Sequence, residues 1–265
     1  MKKQNQKLNL AALQNKIKKD LILIGASAIN ELIPLYSKSF DFIVFPENYK
    51  SSKIIELERT AQKYHIPIHK DNRVFELVER REVDNVRVIA FLKQRIGTYY
   101  ALNEILELAP KLEKCTVVAF SDIDYEQNLG AMFRTCVGMG VDFIIVPHGQ
   151  QKVFSSTVTK VAMGYNYLIP VVQENFLLAI DRLKDSGFDI LALDMEGENI
   201  QNIGYNSEVC FVVGNEGKGL SDTVVRKCTK TISIPLSQNV ESFNVSVSLG
   251  IALYDRNKKL NEIKR

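Results

Sequence analysis

Short apolar runs of strand length alternate along this chain with stretches of helical apolar spacing, and that switching predicts a layered α/β protein. Residues 21–25 and 41–46 are short apolar runs of strand length, while residues 27–35 between them carry apolar side chains at helical spacing, with Pro34 near the end. Residues 50–65 set Ile54, Ile55, Leu57, Ala61 and Tyr64 in a helical pattern behind Ser51 and Ser52, two residues suited to cap it. A strand over 67–69, a helix over 72–79 and a strand over 86–93 complete a small αβα layer domain, residues 21–96. Residues 97–113 predict a connector with its own short helix, built on Leu102, Ile105, Leu106 and Leu108 and closed by Pro110.

The alternation then continues with longer apolar runs. Strands are predicted over 114–120, 143–146, 167–172, 189–193, 209–213 and 231–236, and helices over 131–140, 158–163, 176–186 and after Asn244. Regular alternation of this kind predicts a mostly parallel sheet covered on both faces, in a second domain spanning residues 114–265. Ligands of such sheets sit beyond the strand C-termini. Three polar loops stand at such ends, residues 121–130, 214–220 and 235–244.

Composition narrows the class without naming a function. The 265 residues are 46% hydrophobic, with no apolar run near the roughly 20 residues of a membrane helix and no apolar core of a signal peptide at the start. The expectation is a cytoplasmic protein with no membrane partner. Cys115, Cys136, Cys210 and Cys228 are scattered without a C-x-x-C pair and read as reduced core thiols. The net charge is +3, and residues 1–20 collect six lysines against the single acid Asp20, a basic N-terminal segment that reads equally as a solvated tail. His65 and His69 are four apart, but Pro67 between them breaks helical geometry, so no metal site is expected. Gly217 and Lys218 are followed by Gly219 rather than Ser or Thr, which excludes a P-loop, and no G-x-G-x-x-G follows the first strand of either domain.

The three loops carry NLGAMFRT (128–135), VVGNEGKGLS (212–221), and ISIPL with ESFNVSVSLGIALY (within 232–254). In order and spacing these resemble the three signature motifs of the SpoU family (SpoU/TrmH-like, of the SPOUT superfamily) of RNA ribose 2′-O-methyltransferases. The resemblance implies a catalytic domain with a C-terminal trefoil knot, a small N-terminal L30e-like RNA-binding domain, S-adenosyl-L-methionine as methyl donor, and a homodimer whose active site draws on both subunits. It implies that Gly214, Ile234, Leu236, Phe243 and Asn244 enclose the cofactor, although Ile234, Leu236 and Phe243 are also ordinary core residue types. Arg134 is the leading catalytic residue by resemblance. Because a guanidinium stays protonated, orienting a phosphate and stabilising the developing alkoxide suit it better than proton abstraction.

Asn128 is suited to fix Arg134 or the substrate through its amide, and Glu216 to anchor its loop by accepting N–H groups or pairing with a cation. Ser242 and Asn244 are equally suited to cap the final helix or to touch a ligand. One departure stands out: where the first motif commonly reads D-P-x-N, Tyr125, Glu126, Gln127 and Asn128 stand instead, without the rigid Pro turn. Asp122 or Asp124 is a candidate for the missing acid. The layout points to 23S ribosomal RNA as substrate, with transfer RNA, or a catalytically inactive dimeric RNA-binding protein, as the alternatives.

Overall fold

The computed structural model describes residues 8–79, 88–109, 112–149, 152–238 and 240–260. The chain divides into two compact units, Met1–Gly97 with Val153–Tyr167, and Thr98–Lys152 with Leu168–Arg265. Among the described residues no helix is long and apolar enough to cross a membrane.

The first unit is a four-stranded sheet of β1 (Ile22–Ile24), β2 (Phe40–Phe45), β3 (Ile68–Lys70) and β4 (Ile89–Leu92), ordered β1-β4-β2-β3. Because side chains alternate along a strand, each strand feeds two cores. Leu23, Ile43, Phe45, Ala90 and Leu92 pack under α2 (Ala26–Tyr36) and α3 (Ser52–Lys63). Ile22, Ile24, Val44, Ile89 and Phe91 pack on the other face under α1 (Leu10–Lys18) and α4 (Arg73–Glu79). The αβα layering follows the sequence expectation; the first two residues of the strand expected over 86–93 lie outside the described residues, as do residues 1–7 and Pro110.

Two expectations change here. Part of the supposed basic tail is α1, capped by Asn9 Oδ1 on the Ala12 N–H (3.2 Å), with Leu13 and Ile17 buried in the same core as Phe75 and Val78. Burial of one apolar face outweighs the charged composition of the segment. The helix expected over 158–163, α7 (Ser156–Val161), packs in the first unit rather than the second. Gly164 permits this approach, since a β-carbon there would lie 3.1 Å from the Ala28 carbonyl oxygen and φ is +86°. Asn166, fully buried, clasps the segment by donating to Val153 O (2.8 Å) and Thr159 Oγ1 (3.0 Å).

The second unit is a seven-stranded sheet in which every recorded pair is parallel, ordered β11-β9-β10-β6-β7-β8-β5. Its strands are β5 (Tyr99–Tyr100), β6 (Cys115–Phe120), β7 (Phe143–Pro147), β8 (Val171–Glu174), β9 (Asp189–Asn199), β10 (Glu208–Val213) and β11 (Lys230–Ser233). One face lies under α5 (Leu102–Leu108), α8 (Phe176–Asp185) and α9 (Asp222–Lys227), with Val117, Ile145, Ile190, Cys210 and Val212 at its centre. The other lies under α6 (Glu126–Gly138) and α10 (Val245–Lys259), where Phe133 meets Phe120 edge-on at 5.6 Å between centroids. From β6 the chain builds outward through β7 and β8, then returns to build β9 to β11 on the opposite side. That reversal opens a crevice at the C-terminal ends of β6 and β10.

β9 is six residues longer than its apolar run predicts. Its pairing with β11 jumps from Ala192↔Thr231 to Glu198↔Ile232, so residues 193–197 bulge out of the ladder. Gly197 allows β11 to lie flat across the bulge, since a β-carbon there would fall 2.5 Å from the Ile232 backbone.

All four cysteines are free thiols. Burial pushes Cys115 up to about 12 and Cys228 up to about 11, and raises Cys136 and Cys210 as well. Tyr205, half-buried and donating to Asp255 Oδ2 (2.8 Å), is raised too, by desolvation first and then by that bond. These groups hold their protons more tightly folded than unfolded, so their contribution is intact below the free-thiol value near 9 and is lost as pH rises above it. The urea midpoint should therefore be flat from about pH 7 to 8.5 and fall by about pH 10; a midpoint that rose over that interval would contradict this assignment.

Candidate active site

A cleft of about 740 Å³ opens where the loops after β10 and β11 meet the β9 bulge. Gly214, Ile234, Leu236, Ser242, Phe243 and Asn244, all singled out from sequence, line it together with Glu216. Asp194 and Met195 come to it from the bulge, and Glu241 and Ser248 from the approach to α10 and its first turns.

The loop after β10 is closed on itself. Asn215 N–H donates to Gly219 O (3.1 Å) and Gly219 N–H to Asn215 O (2.9 Å), while Asn215 Oδ1 accepts from the N–H groups of Gly217 (2.9 Å) and Lys218 (3.1 Å). A β-carbon on Gly214 would sit 2.5 Å from the Gly219 backbone, and Gly219 has φ +67°, so both glycines are demanded by this closure. The amides of a phosphate cradle are thus already spent on Asn215.

Hydrogen bonds then join this loop to the other two. Glu216 Oε1 accepts from Asn128 Nδ2 (2.8 Å), Asn128 Oδ1 accepts from Asn244 Nδ2 (2.9 Å), and Asn244 Oδ1 accepts from Ser246 N–H (2.9 Å) and Ser246 Oγ (2.6 Å). The direction of this chain is fixed by its ends. An ionised carboxylate only accepts and a backbone N–H only donates, so each amide between them can point one way. Glu216 Oε2 also accepts from Asp124 N–H (3.3 Å), and Asn215 Nδ2 donates to Asp122 O (2.9 Å) and Asp124 Oδ2 (2.8 Å).

The expected helix over 131–140 instead begins at Glu126, which sets Asn128 on the first turn of α6 rather than in a loop. Of the two candidate caps of α10, Asn244 is the cap and a member of the network. Ser242 forms no capping bond among the described residues and lines the cleft. Arg134 is exposed on α6, does not line the cleft, and forms no hydrogen bond or ion pair with another described residue. No group of His, Cys, Asp and Glu among the described residues has metal-site geometry.

Asn215 and Asp194 belong to the site without being among the residues expected there. The N-x-G turn signal at Asn215 was present, whereas nothing in an apolar strand pattern announces that Asp194 bulges into a cleft.

The model of the SpoU rRNA Methylase family matches residues 115–254, more than half of the chain. This chain belongs to the SpoU rRNA methylase family. An uncharacterized tRNA/rRNA methyltransferase of Borreliella burgdorferi is 30% identical over 80% of this chain and 96% of its own length. In fold, the chain resembles an AdoMet-bound rRNA methyltransferase from Sinorhizobium meliloti (TM-score 0.72, 21% identity, covering 95% of this chain and 93% of that one). It also resembles a TrmH/SpoU tRNA modifying enzyme from A. aeolicus, with TM-score 0.51 and 27% identity, over 61% of this chain and 83% of that one.

Because Asn128 and Asn244 share one bond, Asn128→Ala and Asn244→Ala should each lower stability by about 1 kcal/mol, and the double variant by less than the sum. Denaturant midpoints of the four proteins test this, and strict additivity would remove the shared bond from the account.

Proposed function

We propose that this SpoU-family protein transfers a methyl group from S-adenosyl-L-methionine to a ribose 2′-hydroxyl of structured RNA. The observation that carries the reading is the single network joining all three motif loops around one cleft. The lining suits this donor: Asp194, Glu216 and Glu241 face one amine, Lys218, a balance that favours a cationic ligand over a polyphosphate. Ile234, Leu236 and Phe243 supply apolar walls for a purine.

When bound, S-adenosylmethionine supplies a methyl group made electrophilic by its sulfonium. The protein's own contribution is positioning and the handling of one proton. Asn128, held between Glu216 and Asn244, fixes the wall of the cleft that faces the substrate. Arg134 orients the phosphate beside the target ribose and stabilises the alkoxide as its proton leaves through phosphate or water. Since Arg134 stands outside the network, the reading takes a homodimer in which a second copy completes the site. Val247 and Tyr254, apolar and exposed one above the other on α10, support such a contact. The reading includes the C-terminal trefoil knot, which the motif resemblance implies. It also includes a cytoplasmic setting, supported by four free thiols.

We assign RNA binding to the first unit, read as the L30e-like domain. Lys16 pairs with Asp41 (2.6 Å), Lys93 Nζ reaches Lys38 O (3.3 Å) and Arg95 reaches Lys19 O (3.2 Å), so the side chains of Lys16, Lys93 and Arg95 and the backbone of Lys19 and Lys38 gather at one end of the sheet. The two-unit layout favours 23S ribosomal RNA over transfer RNA, because the tRNA-modifying likeness covers only 61% of this chain and the rRNA methyltransferase likeness covers 95%.

Titration calorimetry with S-adenosylmethionine, followed by transfer of labelled methyl to total RNA, tests the proposal. Binding should be saturable, and Arg134→Lys should bind the donor normally while losing about 100-fold or more in turnover; no donor binding would leave only an RNA-binding module. Reversing Lys93→Glu and Arg95→Glu should weaken RNA binding and reduce the slope of log affinity against log salt by about one to two; an unchanged slope would remove this face from the RNA contact.

A further inference from the structure

We propose that Tyr125 is a base-stacking platform, a subsite at the mouth of the cleft that takes an unpaired nucleobase of the RNA substrate. The proposal rests on the RNA reading above and deepens it. Tyr125 is 63% exposed, more than any other large aromatic of the described residues, and forms no ring contact among them. It also occupies the N-cap of α6, where a side chain able to accept from the first helical N–H groups is favoured and where Tyr makes no capping bond. A large ring in water and a forfeited cap are two independent local costs at one position. Such rule-breaking is expected where function outranks stability.

The ring is presented from a fixed frame. On its N-terminal side Ile123 is buried, Asp124 carboxylate accepts from Asn215, and Asp124 N–H donates to Glu216. On its C-terminal side the Tyr125 carbonyl accepts from Leu129 N–H (3.0 Å), and Asn128 is held by Glu216 and Asn244. This frame replaces the missing proline turn: Asp124, not a residue at the usual position, holds the loop. Tyr125 does not line the cleft, whereas Glu216, bonded to the neighbouring Asp124, does. The ring therefore stands beside the donor cleft rather than in it. A π-face in that place holds a base of any identity and so positions a ribose without reading sequence.

The test uses the full-length protein and a short single-stranded RNA carrying 2-aminopurine. Tyr125→Ala should weaken binding of this oligonucleotide about ten-fold and abolish the quenching of 2-aminopurine that stacking produces, while Tyr125→Phe and Tyr125→Trp retain both. Affinity for S-adenosylmethionine and the oligomeric state should be the same in all four proteins. Unchanged quenching in Tyr125→Ala overturns the proposal, and so does a loss shared by Tyr125→Phe, which would assign the hydroxyl rather than the ring. Dissociation of the oligomer on Tyr125→Ala also overturns it, by making the ring an interface between copies. Because the readout needs no methyl transfer, failure here is distinct from failure of the methyltransferase reading, which would appear as absent donor binding.

Discussion

The site depends on one carboxamide. Asn128 lies between a carboxylate that can only accept and an asparagine whose own oxygen is already claimed by the first turn of α10, so it must donate to Glu216 and accept from Asn244. Through it the N-terminus of α6, the loop after β10 and the cap of α10 are held in one arrangement, although Asn128 lies 88 residues from Glu216 and 116 from Asn244 in sequence. An aspartate in its place could not donate to Glu216, and a leucine would leave both partners unmatched.

The constraint is useful only because the sheet brings those three chain segments together. All the recorded pairs of the seven-stranded sheet are parallel, so the loops after β6, β10 and β11 emerge at one edge, and the reversal of strand order beside β6 leaves a gap between them. The β9 bulge adds a fourth wall by turning Asp194 and Met195 out of the ladder. The glycines serve this geometry through backbone proximity. Gly214 and Gly197 each lie against another strand or loop at a distance that a β-carbon would forbid.

Much of this was legible in the sequence wherever apolar periodicity met a loop. Strands such as 115–120 and 208–213 announce themselves through nearly continuous apolar runs, 117–120 and 209–213, because both faces are buried, and the cleft residues Gly214, Ile234, Leu236, Phe243 and Asn244 fall in motifs quoted from sequence. What escaped depends on tertiary context. Glu126, Gln127 and Asn128 are polar and look like loop, yet they form the first turn of α6 because the clamp on Asp124 starts the helix there. The six lysines of residues 1–20 masked Leu13 and Ile17, which make α1 a packed helix. Nothing in residues 153–167 themselves tells which of two sheets they join; Gly164 and Asn166 reveal it only once α2 is beside them.

Joining the three loops around one cleft is proposed to serve methyl transfer to a ribose hydroxyl. The most direct test is to map 2′-O-methyl groups in the total RNA of cells with and without this protein. The account predicts one or a few nucleotides, in 23S ribosomal RNA, that carry the mark only when the protein is present and that lose it again when Asn128→Asp replaces the wild type. Identical maps in the presence and absence of the protein, or a protein-dependent mark on a base rather than on the ribose, would contradict it.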